Sequence, residues 1–255
     1  MASRSLPPLA LAYHGVADVP LRQDRHGLFV RPQDLRRQIT KLRSWGYRLV
    51  SFGELARLAS AAEAAGHAAL TFDDGLVDNA ETLAPLLAEE GAPATVFVVS
   101  GWLGRPHRSV PWTRIMNEAE LGELRATGVE IGAHTVSHPD LSELSYEAAL
   151  EELAGSKREL EAVLSEPVEV AAYPFGRANE ETVRACRDAG FLAACSATGR
   201  GSWLDPHNLP RQDMENGSTM IGLRLKRDDR YEHLLRLAPA RAARRLGRRL
   251  TGALR

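Results

Sequence analysis

The chain has 255 residues, of which 44% are hydrophobic and 25% are charged, which predicts one substantial hydrophobic core. Its formal net charge of -1 provides no overall attraction to nucleic acid, so we expect no nucleic acid among its partners. Cys186 and Cys195 lie in stretches typical of buried thiols. No apolar segment is long enough to span a bilayer and no signal peptide is visible, which predicts a cytoplasmic protein. An exported form without its leader would look the same.

Short apolar segments alternate with amphipathic ones along the chain. Six apolar segments predict strands, at residues 9–13, 68–72, 94–99, 129–133, 168–173 and 191–196. Three segments carry apolar residues at helical spacing, at residues 32–45, 79–90 and 146–164. Residues 200–223 are rich in Gly, Pro, Asn and Asp and predict a loop. The alternation predicts an α/β fold in which helices cover a parallel sheet.

Two adjacent carboxylates follow the second predicted strand. Residues 71–75 read Thr-Phe-Asp-Asp-Gly, directly after an apolar run. Burial disfavours two like charges at a strand end unless a cation or hydrogen bonds hold them. The pair therefore suggests one carboxylate on a metal and the other left as a base. The alternative is an Asp-Asp-Gly turn in which Asp74 caps the helix predicted at 79–90.

Two histidines four positions apart follow the fourth predicted strand. Residues 134–138 read His-Thr-Val-Ser-His, and Pro139 disfavours helical geometry at His138, so both imidazoles lie on a turn at the strand end. One Asp and two His form a three-ligand set that leaves a coordination position for water, the pattern of a catalytic zinc or related divalent site. These histidines favour the metal interpretation of the aspartate pair.

The motifs resemble those of a known family, the metal-dependent polysaccharide deacetylases with a NodB-homology domain, which are carbohydrate esterases. Residues 71–75 resemble the first motif of that family, residues 134–138 the second, and Tyr-Pro-Phe-Gly at 173–176 the third. Ala-Tyr-His at 12–14 and Leu-Pro-Arg at 209–211 resemble the branch that acts on poly-N-acetylglucosamine and related exopolysaccharides.

This resemblance covers Leu9 to Arg211 and implies a distorted (β/α) barrel with fewer than eight parallel strands. It also implies a bound divalent ion, zinc by preference, with three ligands: Asp74, His134 and His138. Asp73, adjacent but not a ligand, is then the general base that takes a proton from water.

The resemblance implies three further roles. The backbone N–H of Phe175 donates to the oxyanion, His14 is the general acid for the departing amine, and Arg211 braces the base. The alternatives are a rim histidine that only forms hydrogen bonds and an ordinary surface salt bridge of the arginine. His207 and His233 are lesser candidates for the acid.

The chain departs from the family pattern at two places. Leu-Arg-Leu at 223–225 stands where a Leu-x-His motif is usual, and Ala172 stands where many members carry an Arg before the Pro of the third motif. Among the aromatic residues that could stack against a sugar ring, Trp102, Trp112 and Trp203 follow predicted strands or lie in loops, and we favour Trp112 or Trp203.

We expect a metal-dependent hydrolase that removes N-acetyl groups from N-acetylated sugars, in polysaccharide, oligosaccharide or lipid-linked form. Its partner is then a carbohydrate substrate. Two alternatives remain open: a hydrolase of the same fold acting on a formamide, a cyclic imide or a small-metabolite acetamide, and a carbohydrate-binding relative without catalysis. The presence of every expected ligand, base and acid argues against the second alternative.

The catalytic domain is predicted at residues 1–223, and residues 224–255 form a basic extension. Seven arginines occur between positions 234 and 255 with no acidic residue among them. After Pro239 the spacing predicts an amphipathic helix that could rest on an anionic membrane surface. The alternatives are a solvated tail and a helix that closes the barrel.

Overall fold

A computed structural model of the protein describes residues 6–20, 22–58, 61–197 and 201–228. Within these ranges the strands are β1 (Leu9–Tyr13), β2 (Gly15–Val16), β3 (Phe29–Val30), β4 (Arg48–Val50), β5 (His67–Phe72), β6 (Thr95–Val98), β7 (Glu130–Ala133), β8 (Val170–Ala172), β9 (Ala193–Cys195) and β10 (Gln212–Asp213). The α-helices are α1 (Pro32–Ser44), α2 (Phe52–Arg57), α3 (Ala84–Glu90), α4 (Glu118–Ala126), α5 (Tyr146–Leu164), α6 (Glu180–Asp188) and α7 (Met220–Arg227).

Seven parallel strands form a curled sheet in the order β10-β1-β5-β6-β7-β8-β9. The two ends of the sheet meet through one segment, because Leu209 bridges Cys195 of β9 while Gln212 of β10 pairs with Leu11 of β1. The short strand β4 pairs with the first residues of β5, and β6 pairs with the last residues of β5. Strand β4 is therefore not counted among the seven strands of this order. The prediction of a distorted (β/α) barrel with fewer than eight parallel strands is confirmed.

Strands β1 and β5 form the longest pairing in the sheet, with residues 9–13 of β1 beside residues 68–72 of β5. All five residues of β1 are buried, and so are the five paired residues of β5. Parallel strands covered on both faces have continuous apolar sequences rather than alternating ones. This is why the predicted strands 9–13 and 68–72 agree with the structure.

Helix α1 shows how the helices attach to the sheet. It begins at Pro32, where the missing N–H costs no hydrogen bond, and it buries Leu35, Ile39 and Leu42 on one face. Helix α5 begins after Ser145, whose side chain accepts a hydrogen bond from the N–H of Ala148. The helices predicted at 32–45 and 146–164 therefore match α1 and α5.

The helix predicted at residues 79–90 is divided in the structure. Asn79–Leu83 forms a π-helical turn, and α3 follows it. Pro85 lies at the start of α3, where it has no N–H to donate and its ring crowds the carbonyl of Glu81. The wider π turn accommodates this proline.

The predicted loop 200–223 is wrong in part, because it contains β10 and the start of α7. Thr219 caps α7 by accepting a hydrogen bond from the N–H of Gly222 at 3.0 Å. The domain boundary predicted after residue 223 falls inside this helix.

Cys186 and Cys195 are buried free thiols, as predicted. His233 and the basic helix predicted after Pro239 lie outside the described residues. Among the helices of the described ranges, none is both long enough and apolar enough to cross a membrane.

Candidate active site

The seven residues with predicted site roles line one cavity of about 390 Å³ at the rim of the barrel: His14, Asp73, Asp74, His134, His138, Phe175 and Arg211. His14 follows β1, the aspartates follow β5, and His134 follows β7. The cavity thus lies at the carboxyl ends of parallel strands, where the active sites of α/β barrels form.

Asp74, His134 and His138 form the group of possible metal ligands in the described part of the chain, with one ligand atom of each lying within 4.8 Å of the others. Asp74 Oδ1 is 3.7 Å from His134 Nε2 and 3.5 Å from His138 Nε2. This oxygen is buried and accepts no hydrogen bond from any described residue. A buried carboxylate oxygen without a partner is costly, so the three residues fit a divalent cation.

The protonation of the two histidines also suits a cation. His134 Nδ1 lies 2.8 Å from the carbonyl oxygen of Ala172, which can only accept, so Nδ1 carries the proton and Nε2 presents a lone pair. Burial, followed by the charge of His134, lowers the pKa of His138 to about 4. His138 is therefore neutral near pH 7, as a metal ligand must be.

Asp73 forms a buried, bidentate ion pair with Arg211. Nη1 of Arg211 is 2.6 Å from Oδ1 of Asp73, and Nη2 is 2.8 Å from Oδ2. Arg211 also donates from Nη1 to Thr71 Oγ1 and from Nε to the carbonyl oxygen of Ser196, each at 3.0 Å. Burial raises the pKa of Asp73, but the charge and hydrogen bonds of Arg211 together with the charges of nearby histidines lower it more, so the net pKa lies below its usual value.

Unusual backbone angles concentrate at this cavity. Asp74, Thr135, His138 and Phe175 have positive φ angles of 71°, 66°, 60° and 57°. Non-glycine residues rarely adopt this conformation, and when they do they often lie in functional sites. Among the described residues, the one other non-glycine case is Ser165, which ends α5.

The third motif forms a tight turn at Pro174–Gly176, with Phe175 in the left-handed region at its centre. The two backbone hydrogen bonds of the turn run from Gly176 to the oxygen of Tyr173 and from Arg177 to the oxygen of Pro174, and neither uses the N–H of Phe175. A Cβ at Gly176 would lie 2.0 Å from the Cβ of Ala197, so the turn requires glycine there.

His14 is half-buried at the cavity wall, and two residues at the start of the π turn hold the backbone of His14 and Val16. Asn79 Nδ2 donates to the carbonyl oxygen of His14 at 3.1 Å, and Asp78 Oδ2 accepts from the N–H of Val16 at 2.5 Å. His207, the lesser acid candidate, has its Nε2 3.0 Å from the carbonyl oxygen of Phe191 and is not a cavity residue.

Comparison with known proteins decides the family. A family model described as polysaccharide deacetylase matches residues 61–194, which is more than half of the chain. The chain belongs to the polysaccharide deacetylase family. The matched range contains the aspartate pair and both histidines of this deacetylase-family protein, whereas His14 and Arg211 lie outside it.

Individual relatives agree with this assignment. A putative polysaccharide deacetylase of Bacillus subtilis (strain 168), YxkH, is 31% identical over 122 residues, which are 48% of this chain and 41% of that protein. The match thus spans less than half of the length of that curated relative. The Streptococcus pyogenes deacetylase PplD, solved in complex with acetate, is 25% identical with a TM-score of 0.72, over 86% of this chain and 97% of the other. IcaB from Ammonifex degensii shares the fold, with 20% identity and a TM-score of 0.71 over 89% and 97% of the two chains.

Within this deacetylase-family chain, one departure from the usual motifs has a structural counterpart. Ala172 occupies the place where many members carry an arginine, and Arg211 from the segment between β9 and β10 contacts Asp73 instead. The guanidinium thus comes from the segment just before β10, whereas the aspartate follows β5.

Sequence reasoning missed one cavity residue, His107, and ranked another, Trp102, below Trp112 and Trp203 as a sugar-stacking candidate. His107 has its Nε2 3.2 Å from Asp74 Oδ2, and Trp102 is buried beside it with the rings edge to face. Both lie in the connection between β6 and α4, which carries no recognisable motif. The candidates Trp112 and Trp203 are not among the cavity residues of the described chain, because Trp112 packs on Phe29 and Trp203 on the second core cluster.

Proposed function

We propose that this protein is a divalent-metal-dependent hydrolase that removes N-acetyl groups from N-acetylated sugars. The observation that carries the proposal is the buried Oδ1 of Asp74, which faces two imidazoles and has no hydrogen-bond partner in the described part of the chain. The Asp73–Arg211 pair lies in the same cavity. Membership of the polysaccharide deacetylase family supports the reaction class.

Asp74, His134 and His138 hold the cation, and their mixed oxygen and nitrogen donors favour Zn²⁺. When bound, such an ion supplies Lewis acidity that activates water and polarises the acetyl carbonyl.

Asp73 takes the proton of the attacking water. Its two oxygens accept from Arg211, yet each carboxylate oxygen has a second lone pair for a further hydrogen bond. The guanidinium keeps the carboxylate ionised and fixes its orientation, so the base is available at neutral pH.

The remaining two steps need a hydrogen-bond donor and an acid. The N–H of Phe175, which the turn bonds leave free, donates to the oxyanion that forms as water attacks the acetyl carbon. His14 donates a proton to the nitrogen as the C–N bond breaks, so that the amino sugar and acetate leave.

The substrate class is an N-acetylhexosamine in an exopolysaccharide, an oligosaccharide or a lipid-linked sugar. Two features support the exopolysaccharide branch: the Tyr-His sequence that supplies His14, and the use of Arg211 in place of an arginine at position 172.

The test is a mass-spectrometric screen for loss of acetyl. Protein stripped with a chelator and reloaded with Zn²⁺ is incubated with chitooligosaccharides and with free and lipid-linked N-acetylhexosamines. We expect acetyl loss only with the reloaded protein, none with Asp74→Asn, and native turnover with Asp34→Asn, whose carboxylate pairs with Arg31 on the surface. Hydrolysis of a formamide or cyclic imide without any acetyl loss would favour the alternative substrate class, and failure to take up metal would contradict metal dependence.

A further inference from the structure

The connection between β6 and α4 forms an antiparallel ribbon beside the cavity. Pro106 bridges Arg114, and Ile115 bridges Leu76, two positions after the second aspartate of the pair. His107 lies next to the first bridge, at the end of the ribbon, and 5% of its surface is exposed. The ribbon therefore holds this histidine against the aspartates.

The tautomer of His107 follows from its neighbours. Its Nδ1 accepts hydrogen bonds from the N–H of Ser109 at 3.2 Å and from the N–H of Val110 at 3.0 Å. An imidazole nitrogen that accepts cannot carry the proton in the neutral ring, so the proton is on Nε2. That nitrogen faces Asp74 Oδ2 at 3.2 Å, and His107 is the donor in this hydrogen bond.

The two oxygens of Asp74 therefore have separate roles. Oδ2 is occupied by His107, whereas Oδ1 faces His134 and His138 and has no hydrogen-bond partner among the described residues. His107 is not part of the three-residue ligand group found in the described chain. We propose that His107 is a positioning residue that holds the Asp74 carboxylate so that Oδ1 alone is presented to the cation.

This role rests on the proposed metal site and adds a residue that the sequence motifs do not include. Without the donor, the carboxylate can rotate about its Cβ–Cγ bond, and ordering it on binding then costs affinity. Loss of a hydrogen-bond partner behind a metal ligand typically weakens metal binding 10–100-fold.

Two conservative variants test the hydrogen bond that His107 donates to Asp74 separately from the hydrogen bonds that hold the ribbon together. His107→Asn places an acceptor near the position of Nδ1, which preserves the bonds from Ser109 and Val110, but it cannot reach Asp74. His107→Gln places an amide N–H near the position of Nε2 and keeps the donor. His26→Asn, at an exposed histidine of the same cavity, is the matched control.

The experiment measures Zn²⁺ affinity of the stripped proteins by competition with a chromophoric chelator, with thermal unfolding of the metal-free forms recorded alongside. We expect His107→Asn to bind about 10–100-fold more weakly, and His107→Gln and the control to stay within a few-fold of wild type. Equal affinity of both His107 variants and wild type would overturn the proposal, and so would equal weakening of both variants. If wild-type protein binds no metal at all, the proposed metal site itself fails, an outcome distinct from the others.

Discussion

Asp73 and Asp74 are adjacent in sequence, yet their carboxylates contact different partners. The backbone conformation also changes between them, because Asp74 has a positive φ angle of 71°. Asp73 contacts Arg211, and Asp74 contacts histidines. This difference in partners supports the separate roles that we propose, Asp73 as the base and Asp74 as a ligand.

Substituting the two aspartates one at a time should separate these roles. Asp73→Asn removes the base and is expected to lower kcat about a hundredfold or more while zinc content stays near one per chain. Asp74→Asn should instead lower zinc content. Elemental analysis and initial rates check this, and the opposite pattern would reverse the two assignments.

His14→Ala tests the general acid. We expect retained metal and fold, a much larger fall in kcat than change in KM, and loss of the alkaline limb of the pH–rate profile, because that limb reports an acid losing its proton. An ester substrate should be much less affected, since its leaving group needs less protonation than an amine.

His207→Ala is the matched control for this prediction, because the structure directs its ring to a backbone carbonyl outside the cavity. Equal losses on amide and ester, or an effect of His207→Ala that His14→Ala lacks, would show that His14 only forms hydrogen bonds at the rim.

Among individual residues, the sequence predicted those that belong to motifs, because the short spacing within each motif places its residues on one turn. It did not predict His107, which is 33 positions from Asp74 and meets it only through the pairing of the ribbon. A single histidine among Gly, Pro and Arg has no local pattern that distinguishes it from a surface residue.

Among the elements, the segment that carries Arg211 contributes most to the site, because it joins both ends of the sheet and neutralises Asp73. Arg211→Met leaves a buried carboxylate without its partner, and we expect it to lower the free energy of unfolding by about 3–5 kcal/mol. Adding Asp73→Asn should recover part of this loss.

Urea unfolding measures the effect, with Arg57→Met as the control. Arg57 pairs with Glu169 on the surface, where losing an ion pair costs under about 1 kcal/mol. Equal losses for Arg57→Met and Arg211→Met would show that the Asp73 pair is solvated in solution.

The long apolar strands and the long amphipathic helices were predictable, but the short elements were not. Strand β10 has two residues and β4 has three, which is too few to show any period. Helix α4 buries only Leu121 and Leu124, so its apolar spacing is incomplete. The π turn at Asn79–Leu83 depends on the local effect of Pro85, and the apolar spacing of the predicted helix gives no sign of it.

The stability of the whole molecule should depend on pH through Asp78, a buried carboxylate that accepts a hydrogen bond from the N–H of Val16. Burial raises the pKa of Asp78 to about 6, and its Oδ1 is buried without a hydrogen-bond partner in the described chain. A folded-state pKa above the unfolded value means that the folded form binds more protons. The contribution of protonated Asp78 to the free energy of unfolding is therefore complete below about pH 4 and is lost as the pH rises through about 6.

Asp78→Asn removes this titration while an amide oxygen still accepts from the N–H of Val16. The stability of the variant relative to wild type should rise by up to about 3 kcal/mol between pH 4 and pH 7. Denaturant unfolding at several pH values measures it. A difference that stays constant across this range would contradict the assignment.

The segment that carries Arg211 and joins the two ends of the sheet is also synthesised late. Arg211 lies 138 positions after Asp73, whereas the last of the proposed metal ligands, His138, is synthesised much earlier. Because a protein emerges from the ribosome from its N-terminus, the three candidate ligand residues are synthesised before the arginine that pairs with Asp73. The sheet can close beside Asp73 only after Arg211 and strand β10 have been added to the chain, so the ion pair of this carboxylate is among the last parts of the site to form.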